Sequence, residues 1–278
     1  MASYVLYRTA AFLARVLPRC IIDRISISIA YLFYLFRHTI RKNVRANLEI
    51  LEITGARPFD VFKNFARATT DFLILSSGKG EGLVSSCRLN GKDILDRVLK
   101  GGKGALLIAP HIGPWEVAGA HLASSGYSIH TVALGHQSAR VTRFFSANRK
   151  KWGIEDYEPD SSTAKLLRSL RAGEVVVLFI DRNFGVNGID LTFFDRSVNL
   201  PYGHIVLSKR SGAPMIPCCC FYTGDGAVEI VIDEPVESDT QVERKPMNRI
   251  GSECLERVEN SIRAHYEQWF AFDHLWME

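Results

Sequence analysis

The sequence predicts an α/β fold, with a mostly parallel central sheet, flanking helices, an antiparallel edge and a helical segment ahead of it. Three observations carry this. The runs Gly104–Ala109 and Val175–Ile180 are apolar throughout, as in parallel strands covered on both faces. Stretches of helical period alternate with such runs, the order expected of a parallel sheet. Met215–Tyr222 and Ala227–Ile232, joined through Thr223-Gly-Asp-Gly226, read as a hairpin and supply the antiparallel edge.

The elements follow in order. Residues 4–17 form an amphipathic basic helix: Arg8 and Arg15 share one face, Arg19 continues it, and Leu6, Ala10, Leu13 and Leu17 fall on the other. Tyr4, Tyr7 and Phe12 are its candidate interfacial aromatics. Ile25 to Phe36 is almost wholly apolar, between Arg24 and Arg37. A helix of that length spans ~18 Å at ~1.5 Å per residue, short of the ~20 residues of a bilayer crossing. Arg37, Arg41 and Arg45 continue as a basic stripe. Residues 58–77 read as a helix, 78–82 as a glycine loop and 94–99 as a short helix. Beyond the first strand come a helix from Glu116, a strand near 129–134, and helices near 138–152 and 161–172. After the strand at 175–180 come a helix near 202–210, the hairpin, and a C-terminal helix over 249–270.

Charge is unevenly spread. The chain of 278 residues carries a net +4, yet residues 1–50 hold eight Lys/Arg against two Asp/Glu. The excess belongs to the N-terminal segment, which points to an anionic membrane surface. Nucleic acid is not indicated, because the aromatics lie among aliphatic residues and not within a basic sheet face. Asp23 and the arginines interrupt any signal-peptide core. The expected organisation is a membrane-associating helical segment over 1–48 and an α/β domain over 49–278. Six cysteines without C-x-x-C or zinc-finger spacing indicate reduced thiols and no metal site.

The chemistry concentrates at His111-Ile-Gly-Pro-Trp-Glu116. His111 follows the first strand, Pro110 and Pro114 bend the chain, and Glu116 opens the next helix. A carboxylate partner fixes an imidazole tautomer and stabilises the imidazolium formed on taking a proton. Gly113 permits close approach, and Trp115 floors a pocket or packs the helix start. Neither G-x-S-x-G nor H-E-x-x-H occurs, so no serine nucleophile or zinc motif is indicated. A His/carboxylate pair without a protein nucleophile suits activation of a hydroxyl supplied by the substrate. The second strand ends on Asp181-Arg182. Ligands of open α/β sheets bind at strand carboxyl ends, so the two strand ends are expected to line one cleft.

His111 to Glu116 resembles the H-x4-D/E signature of glycerolipid-type acyltransferases. The wider pattern resembles bacterial lipid A biosynthesis acyltransferases (the lauroyl and myristoyl transferases) and their phosphatidylinositol-mannoside acyltransferase relatives. Arg41-Lys-Asn-Val-Arg-Ala-Asn47-Leu48 looks like the family's R-x-x-V-x-x-N-L block, and Arg149-Lys-Lys-Trp-Gly153 like R-x-x-x-G. Asp181-Arg182-Asn183-Phe-Gly185 with Phe193-Phe194-Asp195 to Pro201 looks like D-[RQ]…FFG…P, and Glu267-Gln268-Trp269 like E-Q-W. The matches run in order over roughly residues 4–270. Asp195 departs from the glycine of FFG, and the N-terminal apolar run is shorter than the transmembrane helix of many members.

The resemblance implies transfer of a fatty acyl chain from an acyl carrier protein or coenzyme A thioester to a hydroxyl of a lipid or glycolipid, such as a lipid A precursor. It implies no cofactor, and a place on the cytoplasmic face of the bacterial inner membrane. His111 held by Glu116 would be the base. Arg149 and Arg182 are the candidates for oxyanion stabilisation or for binding a phosphate. The competing roles are a surface charge for Arg149 and an ion pair with Asp181 for Arg182. Asp181 is expected to orient its neighbours. A hydrolase using the same pair, or a non-catalytic lipid-binding protein, are the alternatives.

Overall fold

The computed structural model describes residues 2–185, 188–236 and 246–276; of Ala2, Ser3 and Asp160 only the backbone is described. The chain begins with three helices, α1 (Ala2–Val16), α2 (Arg19–Phe36) and α3 (His38–Ile50), then α4 (Pro58–Ser77) and α5 (Glu81–Ser85). β1 (Arg88–Asn90) and α6 (Lys92–Leu99) lead into β2 (Ala105–Ala109), α7 (Trp115–Ser124), β3 (Ile129–Val132), α8 (Ala139–Lys151) and β4 (Ile154–Tyr157). α9 (Pro159–Arg171) and β5 (Val175–Phe179) follow, then the hairpin β6 (Gly188–Phe193) and β7 (Arg196–Pro201), α10 (Gly203–Ser211), β8 (Met215–Tyr222), β9 (Val228–Ile232) and α11 (Met247–Ala264).

Seven strands form the central sheet in the order β1-β9-β8-β2-β5-β3-β4. β2 pairs in parallel with β5 and β8, and β3 with β5 and β4. β8 and β9 are antiparallel, and β1 runs parallel to β9. The expected antiparallel pair is present, but β1 covers its outer flank. Alternate residues of β2 supply two cores: Leu106 and Ile108 pack with α9, α10 and α11, while Ala105 and Leu107 pack with α7. Burial on both faces explains the unbroken apolar runs.

Three departures from the sequence expectations have local causes. Residues 78–82 do not stay a loop: Gly78 caps α4 in a left-handed turn (φ 86°) and the chain re-enters a helix at Glu81. The C-terminal helix stops at Ala264, because the next residues run beside the His111 turn: Gly113 N donates to Gln268 O (2.9 Å) and Phe270 N to His111 O (2.8 Å). The β6–β7 hairpin lies over α11, closed by Phe194 and Asp195, both at positive φ (51° and 59°). Such a two-residue turn prefers glycine, and aspartate is one of the few other residues that tolerates this conformation. Phe194 N also donates to Glu259 Oε1 (2.7 Å), which holds the turn onto α11.

The N-terminal helices pack on α4. Arg19, at the start of α2, meets the fully buried Asp71 of α4 (2.5 Å), which also accepts a hydrogen bond from Tyr222 of β8. Tyr7 turns inward onto Phe144 and Phe145 of α8, while Phe12 is exposed. Among the described residues, every exposed large hydrophobic side chain except Phe65, Leu134 and Phe184 lies on α1 or α2. No helix of the described residues is long and apolar enough to cross a membrane.

Candidate active site

Strand register builds the centre of the site. β2 and β5 are paired Ala109 to Phe179, an offset of 70 residues. Continuing that register two residues past each strand sets His111 beside Asp181. His111 Nδ1 lies 2.7 Å from Asp181 Oδ1, and His111 N donates to Asp181 Oδ2 (2.9 Å). Trp269 Nε1 donates to the same Oδ2 (2.8 Å). Asp181 is fully buried, with three donors around one carboxylate. Burial pushes its pKa up, but the His111 charge and these hydrogen bonds pull harder, so it is held below the usual carboxylate range. A fixed acceptor at Nδ1 puts the neutral imidazole's proton there and leaves Nε2 as the base. No hydrogen bond engages Nε2 among the described residues.

The connections place this pair at a switch point. After β2 the chain crosses through α7 on one face; after β5 it goes to the hairpin and α10 on the other. A crevice opens between adjacent strands whose connections diverge in this way. Its walls are aromatic. Phe179 stacks on His111 (4.4 Å between centroids), and Trp115 and Phe184 meet it edge-on (5.5 and 5.9 Å). Trp115 therefore lines the site, beside Phe179 and Phe270.

Glu116 is not the partner of His111. Its carboxylate, on the first turn of α7, is held by Arg149: Nη2 to Oε1 is 2.6 Å, and Nε lies 3.1 and 3.2 Å from the two oxygens. Arg149 also reaches Asp156 of β4 (Nη1 to Oδ2, 3.2 Å), whose other oxygen accepts from Ser146 Oγ (2.7 Å). Burial lowers the Arg149 pKa, but the two carboxylates outweigh it, so the guanidinium stays charged. The dyad expected from the spacing is thus replaced by His111–Asp181. The physical reason is that β5 sits directly beside β2, whereas Glu116 lies beyond the turn on α7, where Arg149 of α8 reaches it. Arg149 is not the exposed cation it could have been: it is five-sixths buried with its charge balanced twice.

Arg182 is at the mouth. It pairs with Asp273, not Asp181, and stacks over Phe184 at 4.6 Å. Its Nε is buried without a hydrogen-bond partner. Gly113 serves the protein backbone: at φ 60°, a Cβ there would stand 2.2 Å from Cys220 O, so β8 passes where a side chain would be. Cys218, Cys219 and Cys220 are buried, and burial pushes their thiols up, so they are packing residues. No group of three metal-ligating side chains occurs among the described residues.

Two further blocks hold this turn. Gln268 accepts from Tyr222 N (2.7 Å) and donates to Tyr222 O (3.1 Å). Asn47 Nδ2 donates to Ala271 O and Asp273 O (3.0 and 2.7 Å). The R-x-x-V-x-x-N-L stretch therefore holds the segment just after E-Q-W, while Gln268 ties E-Q-W to β8 and Trp269 reaches Asp181. Sequence reasoning missed the roles of Trp269, Asp156 and Phe179. Trp269 was legible as part of a block; its contact with Asp181 was not, since 88 residues separate them.

The family model described as bacterial lipid A biosynthesis acyltransferase matches residues 1–278. The chain belongs to that family. Among curated proteins, this family member is similar to the phosphatidylinositol mannoside acyltransferase of Mycobacterium tuberculosis (strain CDC 1551 / Oshkosh), 30% identical over 142 residues, covering 50% of this chain and 45% of the relative. It is also similar to that of Mycolicibacterium smegmatis, 29% identical over 141 residues, covering 48% of this chain and 45% of the relative. The chain thus spans under half the length of the curated relatives it matches.

Proposed function

We propose that this family member is an acyltransferase that moves a fatty acyl chain from an acyl carrier protein or coenzyme A thioester to a hydroxyl of a glycolipid. The acceptor class is a lipid A precursor or a phosphatidylinositol mannoside. The observation that carries this is the His111–Asp181 pair at the switch point, with no serine or cysteine bonded to the imidazole among the described residues. His111 Nε2 takes the proton of the acceptor hydroxyl. The oxygen attacks the thioester carbonyl; the carbon–sulfur bond breaks, and the thiolate takes the proton back from the imidazolium. Asp181 holds the ring and stabilises its charged form. The aromatic walls exclude water, which favours transfer over hydrolysis. Arg182 supplies positive charge at the mouth for a phosphate of the acceptor or of the donor arm.

The apolar outer faces of α1 and α2, with the basic stripe of α3, support peripheral or shallow attachment to an anionic membrane. The cytoplasmic face of the bacterial inner membrane fits an acyl donor made inside the cell.

The test uses labelled acyl thioesters with each glycolipid acceptor. Label should appear in the acceptor with wild type and vanish with His111→Ala at an unchanged unfolding temperature. Release of free fatty acid alone, whatever the acceptor, would make the protein a hydrolase.

A further inference from the structure

The segment after α11 is gripped along both of its edges. Even-numbered backbone groups meet the His111 turn: Gly113 N donates to Gln268 O (2.9 Å) and Phe270 N to His111 O (2.8 Å). Between them Trp269 forms an isolated antiparallel bridge to Ile112. Odd-numbered carbonyls on either side of Trp269 meet asparagines of the N-terminal helices instead. Asn64 Nδ2 of α4 donates to Glu267 O (2.9 Å). Asn47 Nδ2 of α3 donates to Ala271 O (3.0 Å) and Asp273 O (2.7 Å). Asn47 Oδ1 also accepts from Leu275 N (3.4 Å). The two asparagines thus bracket Trp269, one grip before it and one after.

A pairing this short does not hold its own register. Isolated strand pairs are marginal in water, and a slip of one residue turns each side chain to the opposite face. Such a slip would carry the Trp269 indole away from Asp181 Oδ2, which it reaches at 2.8 Å. The register therefore comes from outside the pairing. Ahead of Trp269, Gln268 contributes by bonding both backbone groups of Tyr222 on β8. Beyond Trp269, the grip comes from Asn47. Its amide is 1% exposed and turns its donors and its acceptor onto one segment.

We infer that Asn47 is a positioning residue for the His111–Asp181 pair: it fixes where Trp269 stands, and so how firmly the indole N–H holds Asp181. The ordinary role of a buried amide is to satisfy nearby carbonyls. That role alone costs stability on removal and leaves the imidazole untouched. The two roles differ in what His111 reports. Among the described residues, Asp181 is the one charged group bonded to its ring. The rings around it, Phe179, Trp115 and Phe184, are uncharged, and Arg182 stacks over Phe184. With the indole displaced, Asp181 attracts the imidazole proton more strongly, so His111 titrates at higher pH. The kinetic part of the test rests on the acyl transfer proposed above; the titration does not.

The experiment compares wild type with Asn47→Ala, Trp269→Phe, the double variant and Leu95→Ala. Leu95 is fully buried on α6 in the other core, so its truncation lowers stability away from the site. Magnetic-resonance titration of nitrogen-labelled histidine reads His111 without substrate, its signal assigned by its loss in His111→Gln. Turnover of an acyl thioester with a glycolipid acceptor is measured in parallel. Asn47→Ala should move the His111 titration up by about half a pH unit and lower kcat about five- to ten-fold, the range of one hydrogen bond. KM for the thioester should stay within about two-fold. Trp269→Phe should do the same, and the double variant should add little, because both act through one hydrogen bond. Leu95→Ala should match wild type in titration and kcat. Asn64→Ala should shift the titration in the same direction by less, and it replaces Asn47→Ala if that variant does not fold. An unmoved titration in the folded asparagine variant overturns the inference and leaves Asn47 a packing amide. So does full additivity with Trp269→Phe, or an equal shift in Leu95→Ala. Wild type that transfers no acyl group would sink the acyltransfer reading, while the titration still decides the role of Asn47.

Discussion

Two carboxylates near the His111 turn have opposite surroundings. Asp181 is fully buried, accepts from three donors and touches the imidazole. Glu116, one helix away, is spent on Arg149, which is shared with Asp156. The carboxylate that is near His111 in sequence braces α7 against α8 and β4. The one 70 residues away holds the imidazole. Adjacency in the chain fixes which residues share a turn; adjacency in the sheet fixes which atoms share a proton.

The sharpest way to break this contrast is Asp181→Asn. It keeps the shape but removes the charge and can favour the wrong imidazole tautomer, so kcat should fall about 10³-fold or more. Steady-state turnover at matched acceptor concentration checks it. A fall of less than ten-fold would hand the orienting role to another group.

Glu116 and Arg149 should answer in stability. Glu116→Ala or Arg149→Ala alone leaves a partner poorly paired in a mostly buried site, at a cost of about 3 kcal/mol. The double variant should cost little more than either single one, which a denaturant-unfolding cycle reads directly. The pH profile of kcat/KM should stay in place for the fraction of Glu116→Gln that folds. A displaced acid limb would return Glu116 to the proton chemistry.

A third comparison sets His111 against His204, another buried histidine. His204 is 3% exposed, its Nε2 has no hydrogen-bond partner, and burial lowers its pKa to about 4. Its neutral form is the folded one. The unfolded chain binds a proton below about pH 6.5, so stability falls as pH drops from there to about 4, by about 3 kcal/mol in all. His204→Leu should flatten that part of the stability–pH curve. Asp181 contributes in a different window: with its pKa depressed, its contribution is present above about pH 4 and is lost only as pH falls further.

The smallest effect expected is at Trp269. Removing its N–H with Trp269→Phe deletes one of three donors to Asp181, a loss of about 1–2 kcal/mol, or roughly ten-fold in kcat. With one donor fewer, Asp181 binds protons more readily and attracts the His111 proton more strongly. The acid limb of kcat/KM should therefore move to higher pH. A loss of stability with an unmoved limb would make Trp269 packing alone.

The sequence by itself determined most of the helices and the strands β2, β3, β5, β8 and β9, but not α5, β1, β4 or the β6–β7 hairpin. Unbroken apolar runs announced strands buried on both faces, and helical periodicity placed α4 at residues 58–77 without error. It also determined that His111, Asp181 and Arg182 lie at strand ends, because strand ends follow from local pattern. The exposed apolar helices were legible too, as a basic and apolar N-terminal segment. The partners of the polar groups were decided only by tertiary structure. The β2–β5 register assigns Asp181 to His111, the α7–α8 contact assigns Glu116 to Arg149, and the stop of α11 at Ala264 brings Trp269 to the dyad. Each of these depends on which strand lies beside which, and on where a helix ends. Hydrophobic pattern encodes a face to be buried, but not the particular neighbour that buries it.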